Sequence, residues 1–144
     1  MNQHQQTIDR IYRLLAACPN PDKREDPAGW SVKEIVGHLL DSLSNNHQRL
    51  SRYNPNGHLA FPGYEQTLFV QRAHYATFDF KTLLALWFNY NQLLLHIIDH
   101  IPPEDIQSTL TIGQRPTLTI GQLITEYFDH MENHEQQLKR IINA

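Results

Sequence analysis

Residues 31–50, SVKEIVGHLLDSLSNNHQRL, read as one amphipathic helix from its cap to its last turn. The Ser31 hydroxyl can accept from the amide of Glu34 while the Glu34 side chain reaches back to the amide of Ser31, a capping box that starts the helix at Val32. Val32, Ile35, Leu39, Leu43 and Leu50 recur at helical spacing, which carries the helix to about Arg52. A helix with a single apolar stripe must bury that stripe against a neighbour, so this stretch asks for helical partners. The other side of the wheel is polar. Measured from His38, Arg49 and Asn45 lie about 20° to either side, Ser42 at about 40° and Asp41 at about 60°. The centre of the apolar stripe is about 110° from His38, which sets this histidine at the margin, and a hydrated face is the plainer reading of the ribbon.

Three further segments supply the partners. A first helix from Gln3 to about Ala17 aligns Ile8, Ile11, Tyr12 and Leu15, and the stretch CPNPDKREDPAGW (18–30) ends it with three prolines and a glycine. Another takes Asp79 as N-cap and stops before Pro102 and Pro103, with Phe80, Leu83, Trp87, Tyr90, Leu94, Ile98 and Ile101 as its apolar face. The final helix begins near Thr119, where Gln122 completes a second capping box, and runs nearly to the C-terminus. Between them, YNPNGHLAFPGYEQ (53–66) is rich in turn residues, and QTLFVQRAHY (66–75) is a candidate short helix. The stretch STLTIGQRPTLTI (108–120) alternates weakly around Gly113, as a small hairpin or an extended loop would. No repeat, low-complexity tract or linker divides the chain. The expectation is a single all-α domain over residues 1–144: a four-helix bundle with a short extra helix or hairpin in its connections.

Composition narrows the function classes. The 144 residues carry 12 Lys+Arg against 15 Asp+Glu with no block of like charge, which gives no reason to expect nucleic acid or a membrane as partner. Cys18 is the one cysteine, so an internal disulfide and any multi-cysteine metal site are excluded; it reads as packing at a helix end. The opening MNQHQQTIDR lacks the apolar run of a signal peptide, and no segment approaches the ~20 apolar residues of a membrane span. A soluble, cytoplasmic protein is expected. Nine histidines stand out, and imidazole chemistry is the first to test.

Two histidine pairs have i, i+4 spacing. His96 and His100 fall about 180° and 140° from Trp87 on the third long helix, which turns them to water. In EYFDHMENHEQQLKRI (126–141), by contrast, Leu123 and Ile141 lie about 20° from His130, His134 about 40° and Tyr127 about 60°. That pair faces the bundle. Two inward imidazoles need hydrogen bonds or a metal, because an unpaired buried polar group costs about 1 to 3 kcal/mol. One turn apart, they can reach one ion, although Met131 stands where the HExxH protease motif needs glutamate. The pair alone leaves core hydrogen bonding and metal binding open. His47, His58 and His74 have no matching partner and read as surface residues.

Taken together, GWSVKEIVGHLLDSLSNNHQR (29–49), FPGY (61–64) and DHMENHEQQLKRI (129–141) resemble the DinB-like superfamily, which includes the YfiT-type bacillithiol transferases. The resemblance runs in order along nearly the whole chain: W-S-x-x-E-x-x-x-H-L-x-D-S on one helix and H-x-x-x-H on the last. It implies a four-helix bundle binding a divalent metal, commonly zinc or nickel, through His38, His130 and His134. Three imidazoles leave at least one coordination position free, as in catalytic zinc sites. By the same resemblance a low-molecular-weight thiol such as bacillithiol is activated at the metal and attacks an electrophilic small molecule. Asp41, Ser42, Asn45 and Arg49 become candidates to orient ligands or hold an anionic group, Arg49 being best suited to a carboxylate, with a hydrated face as the alternative. Tyr64, in FPGYEQ, is a candidate polar contact at the metal mouth, with packing as its alternative. A homodimer is a further expectation from the resemblance. Three functions compete: a metal-dependent thiol transferase, a metal-dependent hydrolase that needs no thiol, and a non-enzymatic stress-related bundle that binds a metal or small ligand or is merely stabilised by its histidines.

Overall fold

Both capping boxes form. Ser31 accepts from the Glu34 amide at 3.1 Å while Glu34 accepts from Ser31 at 3.0 Å, and Thr119 and Gln122 repeat the exchange. Asp79 caps a third helix through the amide of Thr82. These local signals set the starts of the three longest helices in the computed structural model, which describes residues 3–144. The helices are α1 (Gln3–Ala16), α2 (Val32–Arg52), α3 (Gln66–Ala73), α4 (Phe80–Asp99) and α5 (Ile120–Asn143). Tight 3₁₀ turns follow α3 and α4 at Tyr75–Thr77 and Pro103–Gln107.

Helices α1 and α2 each pack against both α4 and α5, so the four long helices make the expected bundle. Its core takes Ile8, Ile11 and Leu15 from α1, the predicted stripe of α2, and Leu123, Leu138 and Ile141 from α5. Each such side chain contributes about 1.5 to 3 kcal/mol when it is fully withdrawn from water. Cys18 is half-buried against this core, just beyond the end of α1.

One predicted face is rotated. Helix α4 buries Leu83, Leu84, Trp87, Asn91, Leu94 and Leu95, whereas Phe80, Tyr90, Ile98 and Ile101 are only half-buried. The helix is apolar on more than one side, so which stripe turns inward depended on its neighbours. Leu86 and Leu93 are left exposed.

The connections hold more order than their turn residues suggest. Strands β2 (Thr109–Ile112) and β3 (Leu118–Thr119) form the hairpin that was one reading of residues 108–120. Strand β1 (His58–Phe61) was not anticipated; it pairs in parallel with β2, His58 opposite Thr109 and Phe61 opposite Ile112. Gly113, at φ +55°, turns the chain out of β2, and its amide closes on the Phe61 carbonyl at 2.9 Å. This small sheet, with α3 and its 3₁₀ turn, lies against the α2 and α5 side of the bundle. No described helix is long and apolar enough to cross a membrane.

Candidate metal centre

Helix α2 presents His38, and α5 presents His130 and His134 one turn apart. Their Nε2 atoms converge: His130 Nε2 stands 3.1 Å from His38 Nε2 and 3.1 Å from His134 Nε2. Each of the three offers one ring nitrogen within 4.8 Å of the others. His38 is 1 % exposed, contrary to the hydrated face suggested by the wheel, while His130 and His134 are half-buried. Trp30 lies over the His38 ring at 4.8 Å between centroids.

The proton inventory of this cluster favours a cation. His134 Nδ1 lies 2.8 Å from Gln137 Oε1, an acceptor, so Nδ1 carries the proton and Nε2 keeps its lone pair. His130 Nε2 then faces two ring nitrogens and, with one hydrogen at most, cannot serve both along straight bonds. A shared ion satisfies all three lone pairs. The spacing fits as well, since zinc–nitrogen bonds of ~2.0 to 2.1 Å at tetrahedral angles put ligand nitrogens about 3.3 Å apart. Protonation is disfavoured at each ring. Burial, then the charges His134 and His130 would carry, lowers His38 from 6.5 to about 3. Burial and then His134 lower His130 to about 4; burial also lowers His134, against the Gln137 bond. Neutral imidazoles are what a divalent ion binds. Imidazole donors suit a divalent transition metal, and no carboxylate joins them among the described residues.

Beside the histidines lies a cavity of about 350 Å³. Its wall includes Ser42, Asn46, Arg49, Tyr64 and His130, so one metal-ligand candidate opens directly into it. Ser42 and Arg49 are buried, as is Asp41 close by, which corrects the reading of this ribbon as solvated. The physical cause is the cover from the connections. Gly37 lets the 3₁₀ turn press on α2: a Cβ there would stand 2.1 Å from the Tyr75 ring. The Tyr75 hydroxyl donates to Asp41 Oδ1 at 2.6 Å, and burial raises the Asp41 carboxyl despite that bond. Asp41 Oδ2 has no partner among the described residues. Asn45 is half-buried, does not line the cavity, and donates to the Asp41 carbonyl. Tyr64 shares a hydrogen bond with Ser42; its phenol is pushed up by burial first, then by Asp41.

Sequence reasoning missed Asn46, Tyr75, Trp30 and Gln137. Gln137 had a readable signal in its i, i+3 spacing from His134, and Trp30 stood at the head of the W-S-x-x-E motif. The remaining histidines are elsewhere: His96, His100, His58 and His74 are exposed, and His4 is half-buried with its ring stacked on Phe128 at 3.8 Å. His47 is not a free surface residue, since its ring is half-buried and hydrogen-bonds the Tyr90 hydroxyl.

Comparison with known proteins agrees with this architecture. No curated protein matches the sequence. YfiT from Bacillus subtilis, described as a probable metal-dependent hydrolase with an unusual four-helix bundle topology, superposes with a TM-score of 0.82. At 16% identity the match covers 96% of this chain and 83% of that one, and it establishes the shared fold. The sequence model of the DinB superfamily matches residues 3–138, which include all three converging histidines, and the chain belongs to that superfamily.

Proposed function

We propose that His38, His130 and His134 hold one divalent ion, zinc or nickel, and that the site transfers a low-molecular-weight thiol to an electrophilic small molecule. The convergence of three neutral Nε2 atoms at the edge of a cavity carries this reading. When bound, such an ion supplies a Lewis acid that lowers the pKa of a thiol or water presented to it.

The chain's own residues supply position and exclusion. Gln137 sets the His134 tautomer, and Trp30 covers His38 on one side. The cavity wall gives the electrophile its place beside His130. In the transfer, the thiol gives up its proton to solvent water, sulfur forms the new bond to the electrophilic carbon, and the leaving group departs with the electron pair. With a free thiol pKa of ~8.5, modest lowering suffices and no strong base is needed, which suits a cluster that has no carboxylate among the described residues.

Hydrolysis is the second reading. It is supported by the description of YfiT and by Asp41, whose buried Oδ2, without a hydrogen-bond partner among the described residues, and raised pKa suit a proton acceptor.

Metal content by mass spectrometry of untagged protein is the first test, for wild type beside His38→Ala, His130→Ala, His134→Ala and the exposed control His96→Ala. Near-stoichiometric metal kept only in wild type and the control supports the centre; a wild type that stays empty after incubation with zinc or nickel removes the enzymatic reading. Turnover of an electrophile that requires added thiol separates transfer from hydrolysis, which proceeds without it.

A further inference from the structure

Arg49 is a buried cation with no ion pair among the described residues. It lies in the last turns of α2, is 5 % exposed and lines the cavity that His130 enters. Its one hydrogen bond among the described residues is a long contact of 3.4 Å from Nη1 to Asn46 Oδ1, and its buried Nε has no partner. The Phe61 ring, 5.3 Å from the guanidinium carbon, supports the charge without neutralising it. Burial of an unpaired charge is costly because the lost hydration is not replaced, so such groups are paired or meet a ligand.

The rest of the wall does not supply the missing anion. Arg115 and Glu126 also line the cavity, but Glu126 is engaged by Arg115 Nη2 at 2.8 and 3.0 Å. Counting the two arginines against the one glutamate, the wall carries one net positive charge, and that charge is Arg49. A single negative charge balances it. The planar fork of a guanidinium matches the two oxygens of a carboxylate, and the hydroxyls of Ser42 and Tyr64 are on the same wall.

We propose that the cavity recognises a small-molecule monocarboxylate, with Arg49 holding the carboxylate and directing the rest of the molecule toward His130. This names a substrate class for the centre proposed above and rests on that reading for its catalytic meaning. Arg49 is then a specificity-determining residue at the far end of the substrate from the reacting atoms.

Titration of ¹⁵N-labelled, zinc-loaded protein with benzoate tests it, followed through the arginine Nε–H resonances. Benzamide serves as the neutral isostere and inorganic phosphate as the competing anion. Benzoate should bind at least about tenfold more tightly than benzamide and shift the Arg49 signal. In Arg49→Gln the two probes should come within about twofold of each other with zinc content unchanged, while Arg49→Lys keeps part of the preference. The same titration on His38→Ala protein separates Arg49 from the ion: the preference should survive there. Equal binding of benzoate and benzamide by wild type, a preference lost in His38→Ala or retained in Arg49→Gln, or tighter binding of phosphate overturns the proposal. Failure of zinc to bind while the benzoate preference persists sinks the metal centre and leaves the carboxylate site standing.

Discussion

His38 on α2 and His130 on α5 are 92 residues apart in the chain, and their Nε2 atoms stand 3.1 Å apart. Nothing local enforces that approach. It follows from the packing of α2 on α5, and it turns two ordinary helical positions into neighbours whose ring nitrogens can share one proton or one cation.

Gln137 orients His134 through its 2.8 Å contact to Nδ1. Gln137→Ala should weaken zinc binding by about 10- to 100-fold while leaving one ion bound at saturation. Competition against a zinc-sensitive fluorescent chelator measures this, and an unchanged affinity would show that the tautomer needs no help.

Acid should destabilise the metal-free protein. The folded pKa values of His38 and His130 are depressed to about 3 and about 4, below the ordinary 6.5 that the unfolded chain regains. Between those values the unfolded state binds more protons, so stability is full above about pH 6.5 and falls as the pH drops through 6.5 toward 4. Urea unfolding of metal-free protein at pH 7 and pH 5 should give the lower midpoint at pH 5, and His38→Phe should reduce the difference.

Gly37 permits the contact that covers the site. In Gly37→Ala the new methyl would overlap the Tyr75 ring, with the nearest atom at 2.1 Å. Overpacking of this kind should cost about 2 kcal/mol or more. A loss below about 0.5 kcal/mol by denaturant unfolding would mean that the Tyr75 turn gives way freely.

Glu135 is 1 % exposed beside His134 and takes two hydrogen bonds from Arg10 on α1, at 2.6 and 2.8 Å. Removing the guanidinium in Arg10→Ala leaves a buried carboxylate with, among the described residues, Lys139 at 3.6 Å to face it. A loss of about 2 kcal/mol is expected, against less than about 1 kcal/mol for Arg140→Ala, whose partner Glu25 is exposed. Parallel denaturation of the two variants makes the comparison, and equal losses would show that the Arg10 pair does not tie α1 to α5.

Helix boundaries were legible because their causes are local. Ser31 with Glu34, Thr119 with Gln122, the Asp79 cap and the prolines after Ile101 act within one turn, so neighbouring letters suffice to place them. The inward turn of His130 and His134 was legible for the same reason, since a helix carries its own periodicity. By periodicity alone His38 remained at a margin and Arg49 on a wet face; only the resemblance to a family raised His38 to a ligand candidate.

Tertiary structure decided the rest. The parallel pairing of His58–Phe61 with Thr109–Ile112 joins segments about 50 residues apart, and no local pattern encodes the partner of a strand. That sheet, Tyr64 and the Tyr75 turn close over the polar side of α2, burying Asp41, Ser42 and Arg49 where a lone helix would leave them hydrated. Periodicity fixes which residues share a face of one helix, but whether water or protein covers that face is set by segments distant in the chain, and this separates a charged surface from a site.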